Sequence, residues 1–182
     1  MYKYFILFFV VIIIGCSETP IPKPKAYLSL NYPSKNYKLT TEQVPYTFEV
    51  STNTSVKKLP NKWLKIQYPA LKASVDITYR PVKDNLIELL TEAEKLVFEH
   101  TLKADQIASN KFENTKNNVY GSMYDITGNS ASQVQFHVTD SAKHFIKGSL
   151  FFYSKPNYDS ILPAVAYIKE DMVRMMETMQ WK

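Results

Sequence analysis

Residues 132–153 read SQVQFHVTDSAKHFIKGSLFFY, and the pattern of this stretch decides the fold class. Apolar and polar residues alternate on both sides of a polar segment at 139–143, which is the period expected of strands with one face in a core. The alternating apolar residues are Val134, Phe136, Val138, Ile146, Leu150 and Phe152. The stretch predicts two antiparallel strands joined by a short polar loop.

The register of this hairpin decides whether its two histidines can share a ligand. Matching apolar residues across the hairpin pairs Phe136 with Ile146 and leaves a five-residue loop. In that register His137 and His144 lie on opposite faces of the sheet. A loop of four residues would instead pair the histidines directly. The first register is favoured and no metal site is expected, because the stretch contains neither Cys nor Glu as a further ligand.

The rest of the chain predicts further strands and two helices. Strand-like alternation recurs at residues 27–30, 46–50, 63–68, 74–79 and 119–126. An apolar stripe with helical spacing begins near Asp84, the expected N-cap, and continues to Ile107. A second stripe runs from Asp159 or Ser160 to Gln180 and includes four methionines, which we expect to fill the core. This order predicts an α+β fold, with a single mostly antiparallel sheet of about six to seven strands and two long helices packed on it.

The N-terminus predicts an exported lipoprotein. Its apolar run at 5–14 has the length of a signal-peptide core and is too short to span a bilayer. The run leads into Ile13-Ile14-Gly15-Cys16, which resembles a lipobox, and Cys16 is the only cysteine. The expected organisation is a lipoprotein signal peptide at 1–15, a lipidated Cys16 with a Pro-rich tether at 16–25, and a single α+β domain at 26–182.

The charge of the chain does not indicate a function. The formal net charge is +5, but only two of the 22 basic residues are arginines. Scattered lysines are typical of a solvated surface, and export separates the protein from cytoplasmic nucleic acid, so no nucleic-acid partner is expected. Ser17, directly after the lipidated cysteine, favours the outer membrane over the periplasmic face of the inner membrane under the sorting rule of enteric bacteria.

The polar residues between 125 and 144 suggest a catalytic centre at first sight. Ser130 and Ser132 are not in a nucleophile-elbow motif, and a strand precedes and follows them, so they indicate a turn that starts at Gly128 and Asn129. An envelope hydrolase using Asp125, Asp140 or His144 is the weakest hypothesis. A glycan- or peptidoglycan-binding module is a stronger alternative, because the chain has 13 tyrosines and two tryptophans.

Several short motifs resemble one family of bacterial proteins. The motifs are Thr78-Tyr79-Arg80-Pro81-Val82, Tyr120-Gly121, Gly128-Asn129-Ser130-Ala131, Gln135-Phe136, Thr139-Asp140-Ser141, His144-Phe145, Pro156-Asn157, Asp159-Ser160 and Trp181-Lys182. Together with the lipobox and the Pro-Lys-Pro tether, they resemble the gliding-motility lipoprotein GldD family of the Bacteroidota. The resemblance implies a component of the gliding machinery linked to type IX secretion, with no enzymatic activity and no cofactor beyond the covalent lipid on Cys16.

These observations lead to one functional hypothesis. We expect a non-enzymatic, membrane-anchored lipoprotein of the cell envelope that tethers and docks partner proteins of the gliding and secretion apparatus, without a small-molecule substrate. Loops on a rigid scaffold are where binding residues concentrate. The expected interaction surface consists of Tyr124, Gly128, Asn129, Thr139, Asp140, Ser141 and His144.

Overall fold

A computed structural model describes residues 31–99, 104–153 and 158–182. The predicted signal peptide, the lipidation site, the tether and the strand at 27–30 lie outside the described residues, as does His100. The strands are β1 (Tyr37–Leu39), β2 (Tyr46–Thr47), β3 (Glu49–Ser51), β4 (Ser55–Lys58), β5 (Leu64–Tyr68), β6 (Ala73–Pro81), β7 (Ala104–Asn114), β8 (Val119–Gly128), β9 (Val134–Thr139), β10 (His144–Phe152) and β11 (Gln180–Trp181). The helices are α1 (Leu86–Phe98) and α2 (Tyr158–Glu177).

Seven of these strands form one antiparallel sheet. Its strand order is β4-β5-β6-β10-β9-β8-β7, and every neighbouring pair runs antiparallel. Two smaller pairs, β1 with β3 and β2 with β11, lie outside it. The strand predicted at 46–50 is thus divided between two partners. The α+β class and the mostly antiparallel sheet are confirmed.

Helix α2 seals one face of the sheet. Its methionines at 172, 175 and 176 and Met179 just after it are all buried, together with Ile168. They join one large apolar cluster with Phe48 of the N-terminal region, Phe136 of β9 and Leu150 of β10. The methionine stripe is core, as predicted, because straight and flexible side chains fill irregular space between a helix and a sheet.

Helix α1 lies on the opposite face and covers only part of it. Leu89 and Ala93 contact Phe145 of β10, while Val97 contacts Tyr124 and Ile126 of β8. The sheet surface over β5 and β6 is left open beside the helix. The two helices therefore enclose the sheet from both sides, but only the α2 side forms an extensive core.

The first helix is shorter than predicted, which corrects the sequence interpretation. It begins at Leu86, after Asn85 rather than Asp84, and it ends at Phe98. Residues 104–114 are strand β7, where the periodicity indicated helix and then a polar connection. Ala104 and Ile107 match the helical spacing only by coincidence. Both belong to β7, and from there they pack against the apolar cluster of Val97, Tyr124 and Ile126. The other residues of β7 are mostly exposed, so they carry no period of burial to detect.

The β9–β10 hairpin forms with a register two residues from the one predicted. Ile146 pairs with Val138 rather than Phe136. Polar bonds in the loop determine this register, because the Thr139 hydroxyl donates to the His144 carbonyl at 2.6 Å. A shift of two keeps every side chain on its predicted face. His137 and His144 accordingly lie on opposite faces, as predicted.

The first described residues are fastened to α2 by a group of contacts that we call the N-terminal clasp, made of Lys35, Tyr37, Tyr167 and Asp171. Asp171 is fully buried on α2. Its Oδ1 accepts a hydrogen bond from the Tyr37 hydroxyl at 2.9 Å and lies 3.1 Å from Lys35 Nζ. Lys35 Nζ also donates to the Tyr167 carbonyl at 2.7 Å. The cation and the hydroxyl both contact Oδ1 and compensate part of the hydration that this buried carboxylate loses.

Candidate functional site

The loop between β9 and β10 is a tightly bonded turn. Asp140 Oδ1 accepts hydrogen bonds from the backbone N–H groups of Ala142, Lys143 and His144, at 3.0, 2.8 and 2.8 Å. Burial raises the pKa of Asp140, but these three donors outweigh it and hold the pKa below its ordinary value. Ser141 adopts a positive φ of 64°. The carboxylate of Asp140 therefore stabilises the conformation of the loop.

The turn after β8 has a structural role of a different kind. Gly128 has a φ of 94°, as predicted for a turn, whereas Asn129 is not among the positive-φ residues. Asn129 Oδ1 instead accepts a hydrogen bond from the backbone N–H of Tyr158, the first residue of α2. Ser130 and Ser132 are buried and bond to nearby backbone groups. This segment connects the sheet to α2 and presents no nucleophile.

The structure does not bring the seven predicted surface residues together. The two loops lie at opposite ends of β9, whose six residues separate them by about 17 Å. Tyr124 is 4% exposed and lies under α1. The hairpin residues Thr139, Asp140, Ser141 and His144 remain one local group, while Tyr124, Gly128 and Asn129 lie elsewhere.

Of the three residues named in the hydrolase hypothesis, Asp140 and His144 are neighbours in the hairpin loop, but Asp125 lies far from both. Asp125 lies opposite Val134 and pairs with Lys169 of α2 at 2.7 Å, whereas Asp140 follows the far end of β9. The two carboxylates are about 20 Å apart along the strand. Within the described ranges, no three His, Cys, Asp or Glu side chains are grouped so that they could hold a metal ion.

The two histidines have contrasting surroundings. His137 is buried between Tyr124 and Phe145, and burial, followed by the charge of Lys147, lowers its pKa to about 4. His144 stacks on Trp181 with ring centroids 5.1 Å apart, and its Nδ1 lies 3.0 Å from the Tyr79 hydroxyl. His137 belongs to the interior below α1, and His144 belongs to the half-buried rim of the hairpin loop.

Two adjoining clefts offer a better candidate site than the predicted patch. The larger, which we call the α1 cleft, has a volume of about 350 Å³ between α1 and the open sheet surface. Its walls include Trp63, Arg80, Glu92, Lys147 and Phe151. Arg80 and Glu92 form an exposed ion pair at 3.3 Å from the sheet to the helix. The cleft combines aromatic surface with charges of both signs.

The smaller cleft, the Lys62 pocket, has a volume of about 340 Å³ and is cationic. It is lined by Asn61, Lys62, Trp63, Tyr79, Arg80 and Pro81, so that its described lining has two cations and no carboxylate. Asn61 and Lys62 both have positive φ, at 59° and 63°. Positive φ is uncommon for residues other than glycine, and two in succession give the turn before β5 a sharply constrained shape.

The Lys62 pocket lies beside the hairpin loop. The backbone N–H of Val82 donates to the Lys143 carbonyl at 2.9 Å, and Pro81 lies opposite His144 in the sheet. Burial lowers the pKa of His144; Asp140 opposes this effect, and the charges of Lys143 and Lys62 add to it. The loop therefore contributes another exposed cation, Lys143, to the rim of the pocket. Cations beside an aromatic floor can bind a carboxylate through charge and its aliphatic stem through ring contact.

Sequence reasoning missed this pocket, although two signals were present. Trp63 occupies the polar face of an alternating strand pattern, in phase with Lys65 and Gln67, and an aromatic residue there is half-exposed. Arg80 is one of only two arginines. Neither signal shows that the two residues meet, because that depends on the pairing of β5 with β6.

The fold is that of an α+β protein with two adjoining clefts, lined by aromatic and charged residues, on the β5–β6 side of its sheet. No helix within the described residues is long and apolar enough to cross a membrane. The family model of the gliding motility lipoprotein GldD matches residues 17–181, and the chain belongs to that family. The resemblance inferred from the sequence is confirmed, and membership implies a lipid-anchored envelope location and an accessory role in gliding. A comparison with curated proteins gives no match.

Proposed function

We propose that the protein is a non-enzymatic adaptor of the gliding machinery associated with type IX secretion. A lipid on Cys16 holds it at an envelope membrane, with the outer membrane favoured, and the folded part docks an acidic segment of a partner protein. The observation that supports this proposal is the Lys62 pocket. Lys62, over the Tyr79 ring, and Arg80 line the pocket without a carboxylate in the described lining, and this charge is complementary to Asp or Glu side chains.

The hairpin loop supports the same proposal from its position. Asp140 is satisfied by three backbone donors, so its charge is less available to repel an acidic ligand than that of a free carboxylate. Lys143 is exposed beside it. Among the described residues neither Lys62 nor Lys143 forms an ion pair, and the Lys62 ammonium lies 5.5 Å from the centre of the Tyr79 ring, so no carboxylate neutralises either charge.

A binding measurement with a defined probe tests the pocket. A synthetic oligoglutamate peptide is titrated into the protein carrying Trp181→Phe, so that fluorescence reports on Trp63 alone. We expect a saturable change that weakens as salt is raised, since exposed charges are screened. The Lys62→Glu/Lys143→Glu variant should lose the change. Lys38→Glu/Lys95→Glu, with the same change of charge at two other exposed positions, should keep it.

The same variants test the cellular role. At equal abundance in the membrane fraction, the Lys62→Glu/Lys143→Glu variant should lose crosslinks to envelope proteins and colony spreading, and the control should keep both. Normal spreading and unchanged crosslinks in the pocket variant would contradict the docking proposal.

A glycan-binding function is the second candidate, and the α1 cleft favours it. Seven of the described aromatic residues are buried in the core, but Trp63 and Phe151 line the cleft beside polar side chains, as sugar rings require. Cosedimentation with purified peptidoglycan tests this function. If it holds, Trp63→Ala abolishes cosedimentation and Trp181→Phe, outside both clefts, does not. If the wild-type protein stays in the supernatant, the glycan function is rejected.

A further inference from the structure

The two edges of the seven-stranded sheet differ in length and sequence. At one edge, β4 has only four residues and ends in Lys57 and Lys58. At the other, β7 has eleven residues, most of them exposed, and no described strand pairs with its outer side. An edge strand presents a row of unpaired N–H and C=O groups, and short or lysine-rich edges are protected against pairing. The β7 edge has the length for a partner strand.

The sequence of β7 is self-complementary about one residue. Residues 110–114 read Asn-Lys-Phe-Glu-Asn. Phe112 is at the centre, an asparagine lies at each end, and the two residues beside Phe112 carry opposite charges. Antiparallel pairing of two copies about Phe112 places Lys111 opposite Glu113 of the second copy, twice. Opposite charges across a strand pair stabilise it, and like charges destabilise it.

The charges also select the register. Moving the centre of symmetry by one residue to Lys111 would oppose the two lysines, and moving it to Glu113 would oppose the two glutamates. Only the Phe112-centred arrangement among these three matches both charges. A single favoured register is what distinguishes a specific strand pair from adventitious edge contact.

The side chains involved are free to make these contacts. Lys111 and Glu113 are exposed and have no ion-pair partner among the described residues. Phe112, on the other face of β7, is half-buried against the main core and lies opposite Gly121 of β8. Pairing would cover the remaining exposed part of the ring with its symmetry mate.

From this geometry we infer that β7 is a homodimerisation edge, at which a second copy of the chain adds its own β7 antiparallel and joins the two sheets into one. The area covered by a single strand pair is small, so the dimer is weak in free solution. Confinement at a membrane raises the local concentration of two anchored copies and favours their pairing. The Lys62 pocket lies near the β5–β6 side of the sheet, away from this edge, so a dimer presents two pockets.

Charge exchange provides the test. The full mature lipoprotein, labelled with donor or acceptor dyes, is reconstituted in lipid vesicles, and energy transfer between copies is measured. We expect transfer in the wild type, loss of it in Lys111→Glu and in Glu113→Lys, and recovery in the Lys111→Glu/Glu113→Lys double variant. Thermal melting confirms that the exposed substitutions leave the fold intact.

Crosslinking then fixes the register. A mixture of the Lys111→Cys and Glu113→Cys variants should form a disulfide between copies, whereas the Lys57→Cys variant, at the opposite edge, should not. Absence of transfer in the wild type, single variants that behave as the wild type does, or a β7 cysteine that crosslinks in cells to a different protein would each overturn the homodimer.

Discussion

The two faces of the sheet differ in how completely they are packed. On the α2 face, apolar side chains from β5, β6, β8, β9 and β10 meet the helix in one continuous cluster. On the α1 face, two small apolar clusters hold the helix and His137 lies between them, while Lys147 borders the open cleft on the β5–β6 side. The first face supplies most of the buried apolar area, and the second retains charges and accessible space.

This difference separates a tightly packed face from an open, charged face within one sheet. Successive residues of each strand point to opposite sides, so neighbouring positions contribute to different tasks. Substitutions on the α2 face should mainly change the free energy of unfolding, while substitutions on the α1 face should mainly change the surface. Pairs of variants on opposite faces test that division directly.

Truncation of a buried methionine should have the largest effect. Met172 on α2 is fully buried, and Met172→Ala should lower the free energy of unfolding by about 3 kcal/mol, through lost transfer energy and a cavity. Leu96 on α1 is 38% exposed, so Leu96→Ala should cost about 1 kcal/mol or less. Urea unfolding of both variants measures the difference. Equal losses would contradict the division between the faces.

Protonation of His137 should produce the next largest effect. Its folded pKa of about 4 lies below the ordinary 6.5, so the unfolded chain binds the proton more tightly. Stability should fall as the pH drops from 6.5 towards 4, by up to about 1.4 kcal/mol per unit and on the order of 3 kcal/mol in total, then change no further through this group.

The His137→Gln variant isolates that contribution from the carboxylates. Its unfolding free energy should lose much of the wild-type slope between pH 6.5 and 4. His144→Gln, on the opposite face and partly exposed, should retain most of the slope. Parallel pH profiles for the wild type and the His137 variant would show that the buried histidine does not resist protonation.

Neighbouring residues of β10 give a direct comparison of the faces. A Cβ added at Gly148 would lie 2.3 Å from the ring of Phe136, which is 1% exposed and cannot move out of the core. Gly148→Ala should therefore cost about 2 kcal/mol through overpacking. Ser149→Ala, on the α1 face, loses one long hydrogen bond to Gln135 and should cost less than about 1 kcal/mol. Thermal unfolding that shifts equally for both would be the contrary result.

Removal of the exposed ion pair should have the smallest effect on stability. Arg80 and Glu92 are both about half exposed, and such pairs contribute about 0.5 kcal/mol or less. Arg80→Ala should leave the melting temperature nearly unchanged and weaken oligoglutamate binding. Arg80→Lys, which keeps the charge, should restore part of the binding. A large drop in stability would assign Arg80 to the scaffold instead of the surface.

Local patterns in the sequence predicted the elements whose burial alternates. The β9–β10 hairpin and the methionine stripe of α2 both show a clear period, and the structure contains both. β7 was missed because an exposed edge strand has no buried face to produce alternation. The hairpin register was also missed, since hydrogen bonds of Thr139 and Asp140 outweigh apolar matching there.

The candidate site depended on contacts that no local pattern contains. Trp63 and Arg80 become neighbours only after β5 pairs with β6, and Glu92 reaches Arg80 only because α1 returns over that face. The residues of the predicted patch are separated for the opposite reason. They are close in sequence, but β9 lies between the two loops. Loops at opposite ends of a strand cannot form one surface.

The N-terminal clasp also determines how the protein responds to tension. A pull on the chain ahead of Asn31 enters the fold where Lys35 and Tyr37 are fastened to the buried Asp171 of α2. The load therefore reaches the sealed face first, and α1 with its clefts lies on the other side of the sheet. In single-molecule pulling from the N-terminus, Lys35→Met should lower the force of the first rupture, and an unchanged force would exclude this route. Tension on the N-terminal side would thus be carried by the α2 face, while the clefts on the α1 face keep their shape.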